Sequence, residues 1–234
     1  MSPSLVTPEP NAIASPPRSL IEAAYQRMRR DIIAGHLSAG QKLRVEHLKS
    51  RYGVGAGTLR EAMALLVADA LVESESQRGF SVAPISLEDL ADLTRIRVLL
   101  EGEALRESIA AGTDDWEAGV VSTFHKLTLA EQRLRADPAG AFEGWEFCNR
   151  QFHEALVAAC RSRRLLRSRE VLYQQAERYR RLSTLKAPPS DDLHEEHKTI
   201  FDAVMARDAD RASALLATHI NRALLVIRNG QLIE

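Results

Sequence analysis

The hydrophobic positions of residues 20–85 recur at helical spacing, but only in short segments that glycine residues interrupt. In the first segment, Ile21, Met28 and Ile32 fall on one helical face. The pattern predicts three short helices, over 20–34, 45–52 and 58–70. A turn is predicted between the first two helices, over 36–43, because this stretch contains glycine and lacks a helical pattern.

After the third helix the pattern changes to two short runs of strand-forming residues. Residues 71–74 and 79–83 predict two strands, joined by a hairpin turn over 75–78. Three helices followed by a two-stranded hairpin is the order of a winged helix-turn-helix, in which the third helix enters the major groove of DNA. The pattern alone also fits a small helical domain with surface arginines, so both interpretations stay open at this point.

From Ser86 onward the apolar spacing is helical throughout, and Asp89 three positions later makes Ser86 a good helix start. Six helices are predicted, over 87–111, 114–136, 140–159, 162–184, 190–206 and 208–228. The sequence therefore predicts a mostly α protein. A winged helix-turn-helix at 19–85 precedes an antiparallel bundle of about six helices at 86–234. Residues 1–18 are rich in proline and predict a disordered tail.

Composition narrows the class of protein only slightly. The 31 Lys and Arg residues balance 32 Asp and Glu residues, which excludes a polycationic protein but not a local basic surface. No apolar run is long enough to span a membrane, and the N-terminus lacks a secretory signal pattern. Cys148 and Cys160 are too far apart on one predicted helix to form a disulfide, which favours a reducing compartment. We therefore expect a cytoplasmic protein without membrane contact.

Small residues open the predicted recognition helix. They let the helix N-terminus approach a duplex closely enough for backbone N–H groups to donate to a phosphate. Arg60, about one turn into the helix, can reach a phosphate or a guanine edge, and the wing tip can approach the duplex through its glycine. The candidate DNA-contacting residues are Arg44, Gly57, Thr58, Arg60, Arg78 and Gly79.

Three histidines in the helical part, His153, His197 and His219, lie in the buried stripes of three different predicted helices. Asn149 precedes His153 by one turn on the same face. Imidazoles from three helices of one bundle indicate a shared divalent metal such as Zn, Ni, Fe or Cu. A buried histidine is more often a hydrogen-bonded core residue, so that interpretation also stays open. Surface positions are predicted for the remaining polar candidates, namely His125, His194 and the arginine-rich segment 161–169.

The N-terminal part resembles the GntR family of transcription regulators. The matching segments are 32–43 (IIAGHLSAGQKL), Tyr52-Gly53-Val54 with Thr58-Leu59-Arg60-Glu61-Ala62-Met63, and Leu71-Val72 with Arg78-Gly79-Phe80-Ser81-Val82. The resemblance covers nearly all of 19–85 and implies a regulator that binds double-stranded operator DNA as a homodimer. This chain has Gly55-Ala56-Gly57 where the family usually has Ser-Arg-Thr, which removes an arginine expected to read bases.

The helical part resembles the FCD effector domain of the FadR-like subgroup of that family. The matching segments are 97–101 (RVLLE), 149–156 (NRQFHEAL), 196–200 (EHKTI) and 218–220 (THI). The resemblance implies a divalent metal, with zinc foremost and nickel, manganese or iron as alternatives. Its ligands would be Asn149, His153, His197 and His219. An amide replaces the acidic first ligand common in the family, so weaker metal binding is expected.

Four neutral ligands would leave the full charge of the metal in an apolar pocket, and an anionic ligand would offset that charge. A small carboxylate effector is therefore expected. Arg97, in the family's Arg-x-x-Leu-Glu motif, would bind its other end bidentately. The alternative, that Arg97 pairs with a glutamate inside the bundle, stays open.

A ligand-responsive regulator is the leading interpretation, and we expect no enzymatic activity. The alternative is a histidine-rich helical metalloenzyme with an accessory helix-turn-helix. No general base stands out beside the histidines, and the GxSxG, P-loop and GxGxxG motifs are absent. A third interpretation, an interaction module that only dimerises, predicts no stabilisation by ligands.

Overall fold

The computed structural model describes residues 19–75, 79–186 and 191–233. Ten helices occur in these ranges: α1 (Leu20–Ile33), α2 (Val45–Tyr52), α3 (Ala56–Ala68), α4 (Leu87–Ala111), α5 (Asp114–Ala136), α6 (Phe142–Leu156), α7 (Arg163–Gln175), α8 (Glu177–Lys186), α9 (Asp191–Met205) and α10 (Ala209–Asn229). The strands are β1 (Lys42–Leu43), β2 (Val72–Glu75) and β3 (Gly79–Val82). The predicted fold class, a winged helix-turn-helix followed by a helical bundle, is confirmed. The predicted tail 1–18 and Arg78 lie outside the described residues.

In the N-terminal part, α1, α2, α3 and the sheet enclose a core made only of apolar side chains and Tyr52. Ser19 begins α1 by accepting a hydrogen bond from the N–H of Glu22 (3.1 Å). The sheet has three strands in the order β1-β3-β2, because Lys42 and Leu43 pair with Ser81 and Phe80. The predicted turn over 36–43 therefore ends in a strand, which is too short to show an alternating pattern in the sequence.

The helical part is organised around the antiparallel pair α4 and α10. Leu90, near the start of α4, packs with Ile227, near the end of α10. This end of the bundle, next to the N-terminal part, is called the proximal end. At the opposite, distal end, the turns that follow α4 and α9 meet. No helix in the described ranges is long and apolar enough to cross a membrane.

Arg207 joins those two turns at the distal end. Its backbone adopts a left-handed conformation (φ 57°), which is uncommon for a residue with a side chain. The guanidinium donates to the carbonyls of Ile109 (2.7 Å) and Gly112 (2.9 Å) and pairs with Glu117 (2.6 Å). These contacts fix the α9–α10 turn against the end of α4 and the start of α5.

The segment predicted as one helix over 162–184 forms two, separated by Ala176, so the described bundle has seven helices. The Arg180 side chain donates to the carbonyl of Tyr173 (3.1 Å), which the N–H of Glu177 would use in a continuous helix. No glycine or proline marks this position, so the sequence pattern did not reveal it. The other predicted helices agree with the observed ones to within a turn at each end.

Candidate functional site

The described candidates for DNA contact lie on the surface of the N-terminal part. Gly57 and Arg60 are three residues apart on α3 and both exposed, and Thr58 beside them is half-buried. Arg44 is exposed directly before α2, and Gly79 begins β3 in the left-handed region (φ 87°), a conformation that suits glycine. The structure therefore brings these residues to exposed ends of α2, α3 and β3.

The start of α3 leaves its backbone open to a ligand. The helix begins at Ala56, two residues before the predicted start, and Gly55 before it has no side chain with which to cap. A Cβ placed on Gly55 or Gly57 would meet no atom within 4 Å, so the surface here is open. The first N–H groups of a helix have no intrahelical partner, and their partial positive charge attracts phosphate.

The three histidines of the helical part meet in its interior. His153 lies on α6, His197 on α9 and His219 on α10, and one ligand atom of each lies within 4.8 Å of the others. The imidazole centroids of His153 and His219 are 5.2 Å apart, and those of His197 and His219 are 4.5 Å apart. The predicted grouping of these histidines is therefore present.

Two carboxylates orient two of the rings. Glu131 on α5 accepts from Nδ1 of His197 (2.5 Å), and Glu196 accepts from Nδ1 of His219 (2.9 Å). An ionised carboxylate can only accept, so the proton of each neutral ring is on Nδ1 and the lone pair is on Nε2. The Nε2 atoms are therefore the nitrogens available to a metal.

Burial keeps His153 and His219 in the uncharged form that coordinates metals. The pKa of His153 lies well below its usual range because of burial and the neighbouring His219 and His197. Burial and His197 lower the pKa of His219 to about 4, against the opposing effect of Glu196. Burial alone would raise the pKa of Glu131, but hydrogen bonds from His197 and His194 outweigh it, and the pKa is lowered. His153 and His219 are thus neutral and Glu131 is ionised near neutral pH.

The side chains present fit a divalent metal. Asn149 donates through Nδ2 to the hydroxyl of Tyr173 (2.8 Å), but its Oδ1 is buried without a hydrogen-bond partner among the described residues. The same holds for Nδ1 of His153 and Nε2 of His197. Buried polar atoms without partners are unfavourable, and a cation would satisfy such acceptors. One amide oxygen and imidazole nitrogens form a donor set suited to a borderline metal such as zinc.

A cavity that opens to the surface lies beside the cluster, and Asn149, His153 and His219 contribute to its wall. Three arginines also line it, each paired with a glutamate. The pairs are Arg97–Glu101 (2.8 Å), Arg180–Glu146 and Arg222–Glu196 (2.6 Å). The rest of the wall is mixed: aliphatic and aromatic side chains lie beside hydroxyl groups from Tyr173, Ser183 and Thr184. The cavity thus combines apolar surface with hydroxyl groups and paired arginines.

Arg97 points into the bundle as expected and lines the cavity. It also pairs with buried Glu101, which is the alternative that the sequence left open. Arg169 of α7 approaches the other oxygen of Glu101 (3.5 Å) and is buried. The prediction that segment 161–169 is a solvated face is therefore wrong at Arg169, because α7 packs this side against α4.

His125 is exposed as predicted, but the surface position predicted for His194 is wrong. His194 is half-buried, bonded through Nδ1 to Glu131 (2.7 Å), and its ring stacks on Phe124. The burial follows from Glu131, whose two oxygens bind two histidines of α9 one turn apart.

The sequence analysis did not identify the carboxylates next to the histidine cluster. The expectation of a metal site without nearby negative charge is wrong, because Glu131 and Glu196 lie one hydrogen bond behind the histidines. The sequence analysis found no general base beside the histidines, and in the structure both glutamates bind Nδ1 of a histidine. One signal was present: Glu131 follows Leu127 by one turn and precedes Leu134, so it falls within an apolar stripe.

Comparison with known proteins gives matches to both parts. The family model of the FCD domain matches residues 92–222, and that of bacterial regulatory proteins, gntR family, matches residues 20–82. The chain is 50% identical over 217 residues to the HTH-type transcriptional regulator BphR of Paraburkholderia xenovorans (strain LB400), covering 93% of this chain and 89% of that protein. It is 37% identical to the HTH-type transcriptional repressor GlaR of Escherichia coli (strain K12), covering 88% of this chain and 94% of that protein. The solved structure of E. coli McbR/YncC has the same fold, with a TM-score of 0.71 at 19% identity, covering 91% of this chain and 99% of that one.

Proposed function

Since the chain belongs to the gntR family of bacterial regulatory proteins and contains an FCD domain, it is a DNA-binding transcriptional regulator, and we propose that a small carboxylate controls its affinity for DNA. The carboxylate binds together with a divalent metal in the cavity of the helical part. The protein binds a palindromic operator as a homodimer, because a two-fold protein matches a two-fold DNA site.

In this proposal α3 enters the major groove, with Gly57 and Thr58 at the phosphate backbone and Arg60 at a base edge. Arg44 and the wing residues Arg78 and Gly79 contact the flanking phosphates. The exposure of Arg44, Gly57, Arg60 and Gly79 supports this arrangement. Because Gly55-Ala56-Gly57 adds no long side chain, Arg60 carries most of the base recognition from α3.

The cavity carries the second half of the proposal, since it joins the unpaired Oδ1 of Asn149 and the histidine cluster to three arginines. Asn149, His153, His197 and His219 would hold the metal, zinc foremost, which supplies a positive charge for a carboxylate oxygen. The guanidinium of Arg97 has five N–H donors, more than Glu101 can use, and offers the remainder to the far end of the ligand.

Helix α8 supports a route from the cavity to the DNA. Arg180 lines the cavity, while Arg178 donates to the carbonyl of Ala83 in the connection to α4 (2.9 Å). Glu177, at the start of α8, pairs with Arg29 of α1 (2.5 Å). An anion that competes with Glu146 for Arg180 would displace α8 and, with it, the N-terminal part. A coupling free energy of about 1–3 kcal/mol is enough for regulation.

The first test recovers and sequences the genomic DNA fragments that the purified protein binds at moderate salt. A short palindrome near a few genes is the expected result, and the functions of those genes nominate the acid. Uniform recovery of all fragments, with a steep dependence on salt, would contradict specific operator binding.

The second test measures operator affinity while small mono- and dicarboxylic acids are added in the presence of zinc. We expect at least one acid to change the affinity of the wild type, and Arg97→Lys to reduce that change while ligand-free DNA binding stays as it was. Lysine keeps a positive charge beside Glu101 but lacks the planar fork of arginine. An unchanged response in this variant would exclude Arg97 from the effector site.

A further inference from the structure

We propose that Glu131 and Glu196 are positioning residues of the metal site: they orient His197 and His219 and supply the negative charge that Asn149 lacks. This inference rests on the metal site proposed above. It concerns residues outside the four proposed ligands.

Glu131 is held on both sides. One carboxylate oxygen accepts from Nδ1 of His197 (2.5 Å) and the other from Nδ1 of His194 (2.7 Å), and the side chain is 5% exposed. Because both oxygens are engaged, the carboxylate cannot rotate without breaking a hydrogen bond. The His197 ring is therefore fixed, and its unpaired Nε2 stays directed away from Glu131.

Glu196, the residue directly before His197 in the chain, orients the third histidine. It accepts from Nδ1 of His219 on α10 (2.9 Å). It also pairs with Arg222, which follows His219 by about one turn of α10 (2.6 Å). Since Arg222 already neutralises some of its charge and the side chain is 27% exposed, Glu196 contributes less to the field at the metal than Glu131. We therefore expect Glu131 to contribute more to metal binding than Glu196.

Glu131 and Glu196 also supply negative charge that the four proposed ligands lack. Asn149 and three neutral histidines bring no charge to a divalent ion, whereas Glu131 and Glu196 bring two negative charges one hydrogen bond further out. A carboxylate bonded to the outer nitrogen of a ligating histidine fixes its tautomer and raises its basicity. Removing such a partner typically lowers metal affinity by about 10–100-fold.

The test measures the zinc dissociation constant of the full-length, metal-free protein by competition with a chromophoric chelator. Glu131→Gln keeps the size of the side chain but loses its charge, and we expect zinc affinity to fall within the range of about 10–100-fold. Glu196→Gln is expected to weaken binding in the same direction but less. Glu117→Gln, at the distal end and paired with Arg207, is the matched control and should bind zinc as the wild type does.

Two further readouts separate positioning from a merely structural role. The visible absorption of bound cobalt(II) should change in Glu131→Gln, because the ligand field changes when His197 is released. Asn149→Asp should restore zinc affinity in the Glu131→Gln background more than it improves the wild type, because it returns a charge that only the variant lacks. Equal effects in the two backgrounds would overturn the charge compensation.

The outcomes separate this inference from the proposed function. If the wild type binds no zinc, manganese, nickel or iron, the metal site itself is wrong, and this inference falls with it. If the wild type binds metal and both glutamine variants bind it equally well, the metal site stands and the positioning role is overturned. If Glu131→Gln does not fold, the comparison rests on Glu196→Gln, which lies nearer the surface.

Discussion

The two parts of this regulator place their functional side chains in opposite environments. In the N-terminal part the core is apolar, and the candidates for DNA contact, such as Arg44 and Arg60, project from its surface. In the helical part Arg97, His153 and His197 lie within the bundle. Surface residues can change without disturbing a fold, whereas buried polar residues need partners that the fold has to supply.

In the proposed function, this difference separates DNA recognition in the N-terminal part from ligand sensing in the helical part. A DNA duplex is too large to enclose and is met by exposed positive groups that water and salt screen. A small ligand can be enclosed, so its site can use a few strong interactions in a low-dielectric interior. The helical part therefore combines stability and function in the same residues, and substitutions there should affect both.

The sharpest test of this view is Glu101→Ala. Glu101 is 1% exposed and lies between Arg97 and Arg169, so its removal leaves buried positive charges without a partner. We expect the free energy of unfolding, measured by denaturant titration of the metal-free protein, to fall by about 3–5 kcal/mol. Asp92→Ala is the control. It breaks an exposed pair with Arg95 and should cost less than about 1 kcal/mol.

The loss of stability in Glu101→Ala should depend on pH. Burial opposes the ionisation of Glu101, but Arg97 and Arg169 outweigh it and lower the pKa below its ordinary value of 4.5. A lowered pKa in the folded state contributes stability above the ordinary value, and that stability is lost as the pH falls through the folded pKa. The difference in free energy of unfolding between wild type and Glu101→Ala should therefore be largest at neutral pH and shrink below pH 4.5. A difference that does not change with pH would contradict the ionised triad.

Arg60→Ala should weaken DNA binding but leave the stability of the protein almost unchanged. Because Arg60 is exposed on α3, we expect the free energy of unfolding to change by no more than about 0.5 kcal/mol. Operator affinity should fall by about 1–3 kcal/mol and discrimination should relax at one base pair, which binding to a set of single-base operator variants would measure. A uniform loss across all operator variants would instead assign Arg60 to a phosphate.

Arg44→Ala is expected to have the smallest effect. Arg44 lies at the start of α2 and is proposed to contact a phosphate, so its loss should weaken binding to every sequence alike. The slope of log affinity against log salt should become less steep by about one. An unchanged slope would show that Arg44 does not contact DNA.

The fold was largely predictable from the sequence because each long helix carries a regular apolar stripe. The break at Ala176 was not, since neither glycine nor proline marks it. Strand β1 was missed because two residues carry no period. The pairing of these elements is set by tertiary contacts, which local patterns do not encode.

In the candidate site, the sequence predicted the histidines but not the carboxylates that bind them. His153, His197 and His219 lie on apolar stripes of their own helices, so their convergence followed from helical periodicity. Glu131 lies 66 positions before His197 in the chain, and no local pattern connects the two. Only the packing of α5 against α9 reveals that they belong together.

The contacts of Arg207 bear on how the helical part can move. They tie the distal turns to one another, whereas the proximal end contains the separation between α7 and α8 and, on α8, contacts to α1 and to the segment after β3. In the proposed function, a ligand that displaces α8 would therefore move the proximal end, where α8 contacts α1, while Arg207 keeps the distal turns joined.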